Sequence, residues 1–183
     1  MGKLGGKLSE LSATALGSAA IAGAIDRSGI EPGELEYGYM GNMLSAGLGQ
    51  TPARQAMIGA GVPHGVSGMT INKACASGLA SVVLAAQTIQ AGDAEAVVAG
   101  GMESMSNAPY LLPRARAGYR MGHGQVLDHM FLDGLEDAYE RGRLMGTFAE
   151  DCAQSYGFTR QEQDAYALES LRRAQQAMEA GHF

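Results

Sequence analysis

The sequence has no tryptophan, only two cysteines and five prolines in 183 residues, and aromatic residues make up 6% of it. Cys75 and Cys152 are too few for a disulfide framework, so reduced thiols and a cytoplasmic setting are the default expectation. Cations are also scarce: 13 Lys and Arg face 19 Asp and Glu, for a net charge of -6. That balance leaves no footprint for nucleic acid, and the small cluster Arg114, Arg116 and Arg120 reads as a solvated or phosphate-facing loop. No apolar run reaches the roughly 18 residues of a membrane span. The longest, around Ala13 to Ile25, is rich in Ala and Gly and stops at Asp26 and Arg27, which argues against a signal peptide as well. No dinucleotide motif is present, because Gly47-Leu48-Gly49 runs on into Gln50, Thr51 and Pro52. No metal site is expected: the spacing of His123, His129, Asp128 and Asp133 fits neither a zinc helix pair nor a calcium loop, and reads as a solvated loop. Internal repeats and low-complexity tracts are absent too.

What is present is a foldable, glycine-rich chain. Hydrophobic residues are 46% and charged ones 17%, values that suit a globular protein. The 27 glycines imply many tight turns and close backbone approaches. Helical and extended patterns alternate over the first two thirds, the mark of an α/β layer architecture. Helices are expected over Leu11 to Arg27, closed by Gly29, and over Pro52 to Ala60, with Thr51 as N-cap and Pro52 in the first helical position. Ser77 to Ala91 is expected to be a buried helix, since Leu79, Val82, Val83, Ala86 and Ile89 repeat at helical spacing and small residues leave little polar face. Extended segments are expected over Leu35 to Met40, Met69 to Asn72 and Glu95 to Gly101. From Met102 to Gly142 the pattern loses its period and reads as an excursion from the sheet. Thr147 to Tyr156 reads as helix, and Thr159 with Glu162 forms a capping box that starts another, running to Gly181.

Chemistry is concentrated in Thr70-Ile71-Asn72-Lys73-Ala74-Cys75-Ala76-Ser77-Gly78-Leu79, where a strand runs into a turn and a helix begins. A cysteine there meets free backbone N–H groups and the positive end of the helix dipole, which favour the thiolate and make the sulfur a nucleophile. Ser77 and Gly78 allow close backbone approach to a substrate, and the Cys75 N–H is available to bind an oxyanion. The competing reading is a small buried hydrophobe, the usual role of a free cysteine. Cys152, on the helix near Tyr156, is expected to pack against its neighbours. The 11 methionines read as core filler as readily as an acyl pocket.

Several longer motifs decide between these readings. Gly49-Gln50-Thr51-Pro52-Ala53-Arg54-Gln55 and the Cys75 segment are followed by Ala91-Gly92-Asp93 and by Gly100-Gly101-Met102-Glu103-Ser104-Met105-Ser106. After these come Tyr119-Arg120-Met121-Gly122, Asp133-Gly134-Leu135 and Met145-Gly146 with Ala149-Glu150. In this order they resemble the thiolases of the acetyl-CoA acetyltransferase and 3-ketoacyl-CoA thiolase type, over nearly the whole chain.

The resemblance implies an α/β, thiolase-like layered fold with a mixed sheet between helices. It places the N-terminal core in residues 1–106, and the start of the loop region that binds CoA and builds the oligomer in residues 107–183. It makes Cys75 the nucleophile that forms an acyl-enzyme thioester, and puts Leu135 and Met145 in the CoA and acyl pocket. The substrates are coenzyme A thioesters, with no further cofactor, in the acyl-transfer chemistry of fatty acid metabolism. The partners are acyl-CoA and CoA, with a homo-oligomer, dimer or tetramer, for the intact enzyme. Departures are also visible. Leu144 stands where the family has a His, and the spacing from Asp133-Gly134-Leu135 to Met145 is one residue longer than usual. An upstream Ala-Arg-Thr strand and a second half carrying a Gly-His-Pro histidine, an Asn-Glu segment and a second cysteine are not in this sequence. His64, His123, His129 and His182 lack the context of a base. The chain is therefore expected to be an incomplete half that does not turn over alone. The alternatives are a related condensing enzyme, of the ketoacyl synthase or hydroxymethylglutaryl-CoA synthase kind, or a catalytically silent fragment that binds CoA or serves structure.

Overall fold

Three short strands set the frame: β1 (Tyr37–Gly41), β2 (Ser67–Ile71) and β3 (Val97–Gly101). The computed structural model describes residues 2–182. The strands form a parallel sheet in the order β2-β1-β3, in a register that pairs Gly41 with both Ile71 and Gly101. All three strands therefore end at one edge, and the segments that follow them, beginning at Asn42, Asn72 and Met102, emerge side by side. The sheet between the helices is wholly parallel where a mixed one was expected, and antiparallel pairing is confined to a separate pair, β4 (Tyr110–Leu111) with β5 (Leu127–Asp128).

Helices cover both faces of the parallel sheet, as the layered α/β expectation requires. α1 (Ala13–Ser28) begins at Ser12, whose hydroxyl accepts from the Ala15 N–H at 3.1 Å, and ends at Gly29 in the left-handed conformation. α2 (Pro52–Gly59) packs with α1 on the face that carries Gly38 and Met40 of β1. Ala13, Ile21, Met40, Ala53, Ala56, Met57 and Met102 make the core there. α3 (Ser77–Ala91) packs on the opposite face, where Tyr39 Oη lies 3.1 Å from Thr88 Oγ1. Placing successive crossovers on opposite faces lets β2 and β3 flank β1 with connections of one hand.

Two expectations change at this level. Thr51 occupies the N-cap of α2 but lies at φ 46 and makes no side-chain capping bond. The Ala53 N–H is met instead by Thr70 Oγ1 of β2 at 3.0 Å, a long-range contact that local sequence does not encode. Nor is α3 buried. Its small residues Ser77, Ser81 and Ala85 press on the sheet, whereas Leu79 is 69% exposed and Val82, Val83 and Ile89 are nearly half exposed. The short side chains allow the helix backbone to approach the strands, which turns the larger apolar side chains outward. The window Ala74–Ala91, with mean hydropathy 1.3, is long and apolar enough to cross a membrane by composition, where Ala13 to Ile25 had read as the longest apolar run. In the fold it forms the end of a turn and a sheet-packed crossover helix.

The chain divides into two compact units between Ala138 and Tyr139. The second holds α4 (Met145–Tyr156) and α5 (Arg160–Glu179), the latter opened by the expected box in which Thr159 Oγ1 accepts from the Glu162 N–H and Glu162 from the Thr159 N–H. Those bonds from Thr159 hold the Glu162 carboxyl below its ordinary range. Arg172, followed by Arg173, holds the Glu169 carboxyl down to about 2.

Among the described glycines of the first unit, the closest approach to another segment's backbone is where α3 meets the end of β1. A Cβ built on Gly41 would stand 2.5 Å from the Gly78 nitrogen and from the Ser77 carbonyl carbon, both backbone atoms that cannot step aside. Gly41→Ala should therefore destabilise the first unit by about 2–3 kcal/mol, the upper range for overpacking. Urea denaturation of the variant against wild type measures this.

Candidate active site

Cys75 lies at the strand-end edge of the sheet, four residues beyond β2 and two before α3. Ala74 is at φ 48, a left-handed conformation uncommon for a residue with a Cβ and a mark of a functionally constrained turn. The turn is braced internally. Ser77 Oγ accepts from the Lys73 N–H at 2.8 Å and donates to the Ala74 carbonyl at 2.5 Å, and Asn72 Oδ1 accepts from the Ala74 N–H at 3.1 Å. The Cys75 side chain belongs to an exposed residue, as the enzymatic reading requires and the buried-hydrophobe reading does not. The helix closes its first backbone bond from Ala80 N–H to Ala76 carbonyl at 2.8 Å. The amides of Cys75, Gly78 and Leu79 have no hydrogen-bond partner among the described residues. An exposed thiol thus sits beside unsatisfied amides at a helix N-terminus, donors of the kind that can meet a developing oxyanion.

Glycines bring this turn to the sheet. A Cβ on Gly101 would come within 3.2 Å of Gly78 Cα, and one on Gly41 would collide with the Gly78 amide. It is therefore Gly41 and Gly101 of the sheet that must lack a Cβ for the start of α3 to approach, whereas a Cβ on Gly78 would meet Gly101 only at ordinary contact distance, 3.7 Å.

A second device at the same edge was not recognised from sequence. Glu103, two residues beyond β3, accepts from Asn42 Nδ2 at 2.7 Å, the Met43 N–H at 2.9 Å and the Leu44 N–H at 3.0 Å. One carboxylate thereby fixes the path of the chain leaving β1. Asn42 is buried, its Nδ2 also donates to the Met102 carbonyl at 3.2 Å, and its Oδ1 has no hydrogen-bond partner among the described residues. The signal in the sequence is a charged residue two positions after the Gly100-Gly101 strand end. Arg54 and Gln55 of the Gln50 to Gln55 motif are structural in the same sense. Arg54 donates to the Val66 and His64 carbonyls, and Gln55 to those of Leu48 and Gln50.

Leu135 is half-buried at the end of a single π-helical turn, Phe131–Leu135, in the first unit. A Cβ on the neighbouring Gly134 would meet Met43 Cε at 2.9 Å and Leu44 Cδ2 at 3.6 Å, so this turn rests on the chain that leaves β1. Met145 opens α4 in the second unit and is 46% exposed, with Leu144 at the N-cap. Cys152 is exposed on α4, against the expectation that it packs, because its helix turns it to solvent. His129 is a second correction. It is not in a solvated loop but buried, 6% exposed, with both ring nitrogens engaged. No group of three or more His, Cys, Asp or Glu is placed to hold a metal ion among the described residues. Two clefts, one of about 510 Å³ lined by Glu150, Phe158 and Gln163 and one of about 270 Å³ lined by Leu4, Tyr110 and Met130, lie apart from the residues of the Cys75 turn.

Comparison with known proteins completes the description. The family model for the N-terminal domain of thiolase matches residues 1–183. The chain belongs to the thiolase family. It is 52% identical over 184 residues to an acetyl-CoA acetyltransferase of Escherichia coli, covering 100% of this chain and 46% of that protein. It is 50% identical over 177 residues to an acetyl-CoA acetyltransferase of Schizosaccharomyces pombe, covering 97% of this chain and 45% of that protein. Acetyl-CoA acetyltransferase 1 of Arabidopsis thaliana is 54% identical over 168 residues, 92% of this chain and 40% of the relative. The thiolase chain thus spans about half the length of the curated relatives it matches.

The Glu103 carboxylate is the clearest target at this edge. Glu103→Gln keeps the side-chain shape but replaces one acceptor oxygen with a donor, leaving an amide at Met43 or Leu44 unmet. A loss of about 1–3 kcal/mol is expected, read as a lowered urea midpoint together with faster amide exchange at Met43 and Leu44.

Proposed function

We propose that this chain carries the nucleophilic half of an acyl-CoA acyltransferase, in which Cys75 accepts an acyl group as an enzyme thioester. The observation that carries the reading is the exposed thiol on a constrained turn, next to unpaired amides at the start of α3. In the first half-reaction the Cys75 thiolate attacks the carbonyl carbon of acetyl-CoA, the tetrahedral oxyanion is met by backbone N–H groups, and the C–S bond to CoA breaks with CoA thiolate leaving. In the second, the acyl group passes to CoA in the degradative direction. In the synthetic direction it passes to the α-carbon of a second acetyl-CoA, which must first lose a proton. The resemblance to thiolases assigns Leu135 and, separately, Met145 a role in binding the CoA and acyl groups. The partners are acyl-CoA and CoA, no cofactor beyond these thioesters is needed, and the intact enzyme assembles as a homo-oligomer. Two exposed, unpaired cysteines suit a reducing compartment such as the cytoplasm.

Carbon deprotonation requires a base, and no histidine is hydrogen-bonded to Cys75 among the described residues; His129, with both nitrogens occupied, is unsuited to the task. That favours acylation without complete turnover by these 183 residues, and it is also the observation behind the second reading, a silent scaffold that binds CoA.

Intact-protein mass after incubation with acetyl-CoA separates the two. An acetyl adduct is expected on wild type and absent from Cys75→Ala, with no acetoacetyl-CoA formed. No adduct on wild type would favour the scaffold, and sustained acetoacetyl-CoA production would contradict the half-site reading.

A further inference from the structure

His129 does work that the acyl-transfer chemistry leaves unassigned. Its ring is buried, and each nitrogen has one partner from a different segment. Nε2 accepts from the Ala46 N–H at 3.4 Å, and Nδ1 lies 2.6 Å from Asp133 Oδ2. A nitrogen that accepts from a backbone N–H carries no proton, so the neutral ring holds its proton on Nδ1 and donates it to Asp133. His129 thus joins the chain leaving β1 to the π-helical turn Phe131–Leu135.

Each end of that link is fixed from elsewhere. The Glu103 carboxylate holds Met43 and Leu44, three and two residues from Ala46. The backbone of His129 donates to the Pro109 carbonyl at 3.1 Å, and Asp128 Oδ1 accepts from the Met130 N–H at 2.8 Å. The turn itself closes with Glu136 N–H to the Phe131 carbonyl at 2.8 Å, and Gly134 seats its backbone against Met43 and Leu44. Hydrogen bonds joined by a short stretch of backbone, Leu44 to Ala46, run from Glu103 after β3, through the segment after β1, to His129 and Asp133, and Leu135 is two residues further on. π-helical turns are strained departures from α geometry that recur at functional sites.

We propose that His129, as the neutral Nδ1–H tautomer, is a positioning residue that fixes Leu135 relative to the strand-end edge where Cys75 lies. The assignment of Leu135 to the acyl-CoA pocket rests on the function proposed above, whereas the His129 link does not. A ring that ties two segments rigidly sets the pocket wall in place before substrate arrives, which is how a residue that touches no reacting atom affects the binding of a substrate.

The test uses the full 183-residue chain, ¹⁵N-labelled, in wild-type, His129→Gln and His129→Asn forms. Long-range ¹H–¹⁵N spectra of wild type should show Nδ1 protonated and Nε2 bare at neutral pH. Glutamine reaches the Nε2 position and can accept from Ala46. Asparagine reaches only the Nδ1 position, so it can donate to Asp133 but leaves Ala46 unmet. The Ala46 amide should therefore keep near wild-type protection in His129→Gln and exchange roughly tenfold faster in His129→Asn. The Leu135 methyl resonances should move in His129→Asn, while the core amides of Ile21 and Met57 stay protected in both variants. The Nε2–H tautomer in wild type, or equal Ala46 exchange and unmoved Leu135 methyls in His129→Asn, would overturn the proposal. If a variant unfolds, so that Ile21 and Met57 exchange freely, the wild-type tautomer decides. Failure of wild type to take an acetyl group counts against the acyl-transfer reading alone, because none of these readouts depends on it.

Discussion

The meeting of α3 with the sheet at Gly41, Gly78 and Gly101 is the contact on which the rest of the first unit depends. A methyl group on Gly41 would occupy the space of the Gly78 amide, and one on Gly101 would crowd Gly78 Cα at 3.2 Å. Because the helix start is drawn against the ends of β1 and β3, the turn from Asn72 to Ala76 has to reverse over a very short path. Ala74 takes a left-handed backbone and Ser77 bonds back into the turn at both Lys73 and Ala74. Cys75 stays outside as a consequence of that backbone geometry. The exposure of Cys75, its place before the helix and the unpaired amides near it thus share one steric cause.

Polar groups do for the loops what the glycines do for the helix. In a parallel sheet the segments leaving the strand ends carry unpaired backbone N–H groups toward the edge where ligands of such folds bind. Here Glu103, from the end of β3, satisfies two of those amides on the segment leaving β1, and His129 satisfies a third. The carboxylate and the imidazole hold a loop that has few apolar contacts of its own. The thiolase fold and the geometry of Cys75 are connected through this polar edge as well as through the hydrophobic core beneath α1 and α2.

Much of this was legible from local codes. Ser12 and Gly29 bound α1, Thr159 with Glu162 opens α5, and the change from apolar strand to Ala-Cys-Ala-Ser-Gly marks the start of α3 at Ser77, all features decided within a few residues of chain. The position of Cys75 before a helix followed directly. What escaped depends on partners distant in sequence. Thr51 reads as a cap, yet the capping oxygen comes from Thr70; Leu79 and Val82 read as core, yet Ser77 and Ser81 are the residues that meet the sheet. His129 reads as solvated because its acceptor role needs Ala46, more than eighty residues earlier. Cys152 reads as packed because helical periodicity alone does not say which side of α4 is covered. Each miss replaces a local rule with a contact that only the assembled fold supplies.

The central claim is that position, and not exposure alone, makes Cys75 reactive. Cys152 is an internal control, since it too is exposed but sits within α4, far from a helix start. The direct measurement is the rate at which each thiol of the native chain is carboxamidomethylated by iodoacetamide near neutral pH, resolved by peptide mass. The account predicts that Cys75 is modified several-fold faster than Cys152 in the folded chain and that the two become equal in denaturant, since the advantage belongs to the turn and helix start. Equal rates in the folded chain, or faster modification of Cys152, would contradict it.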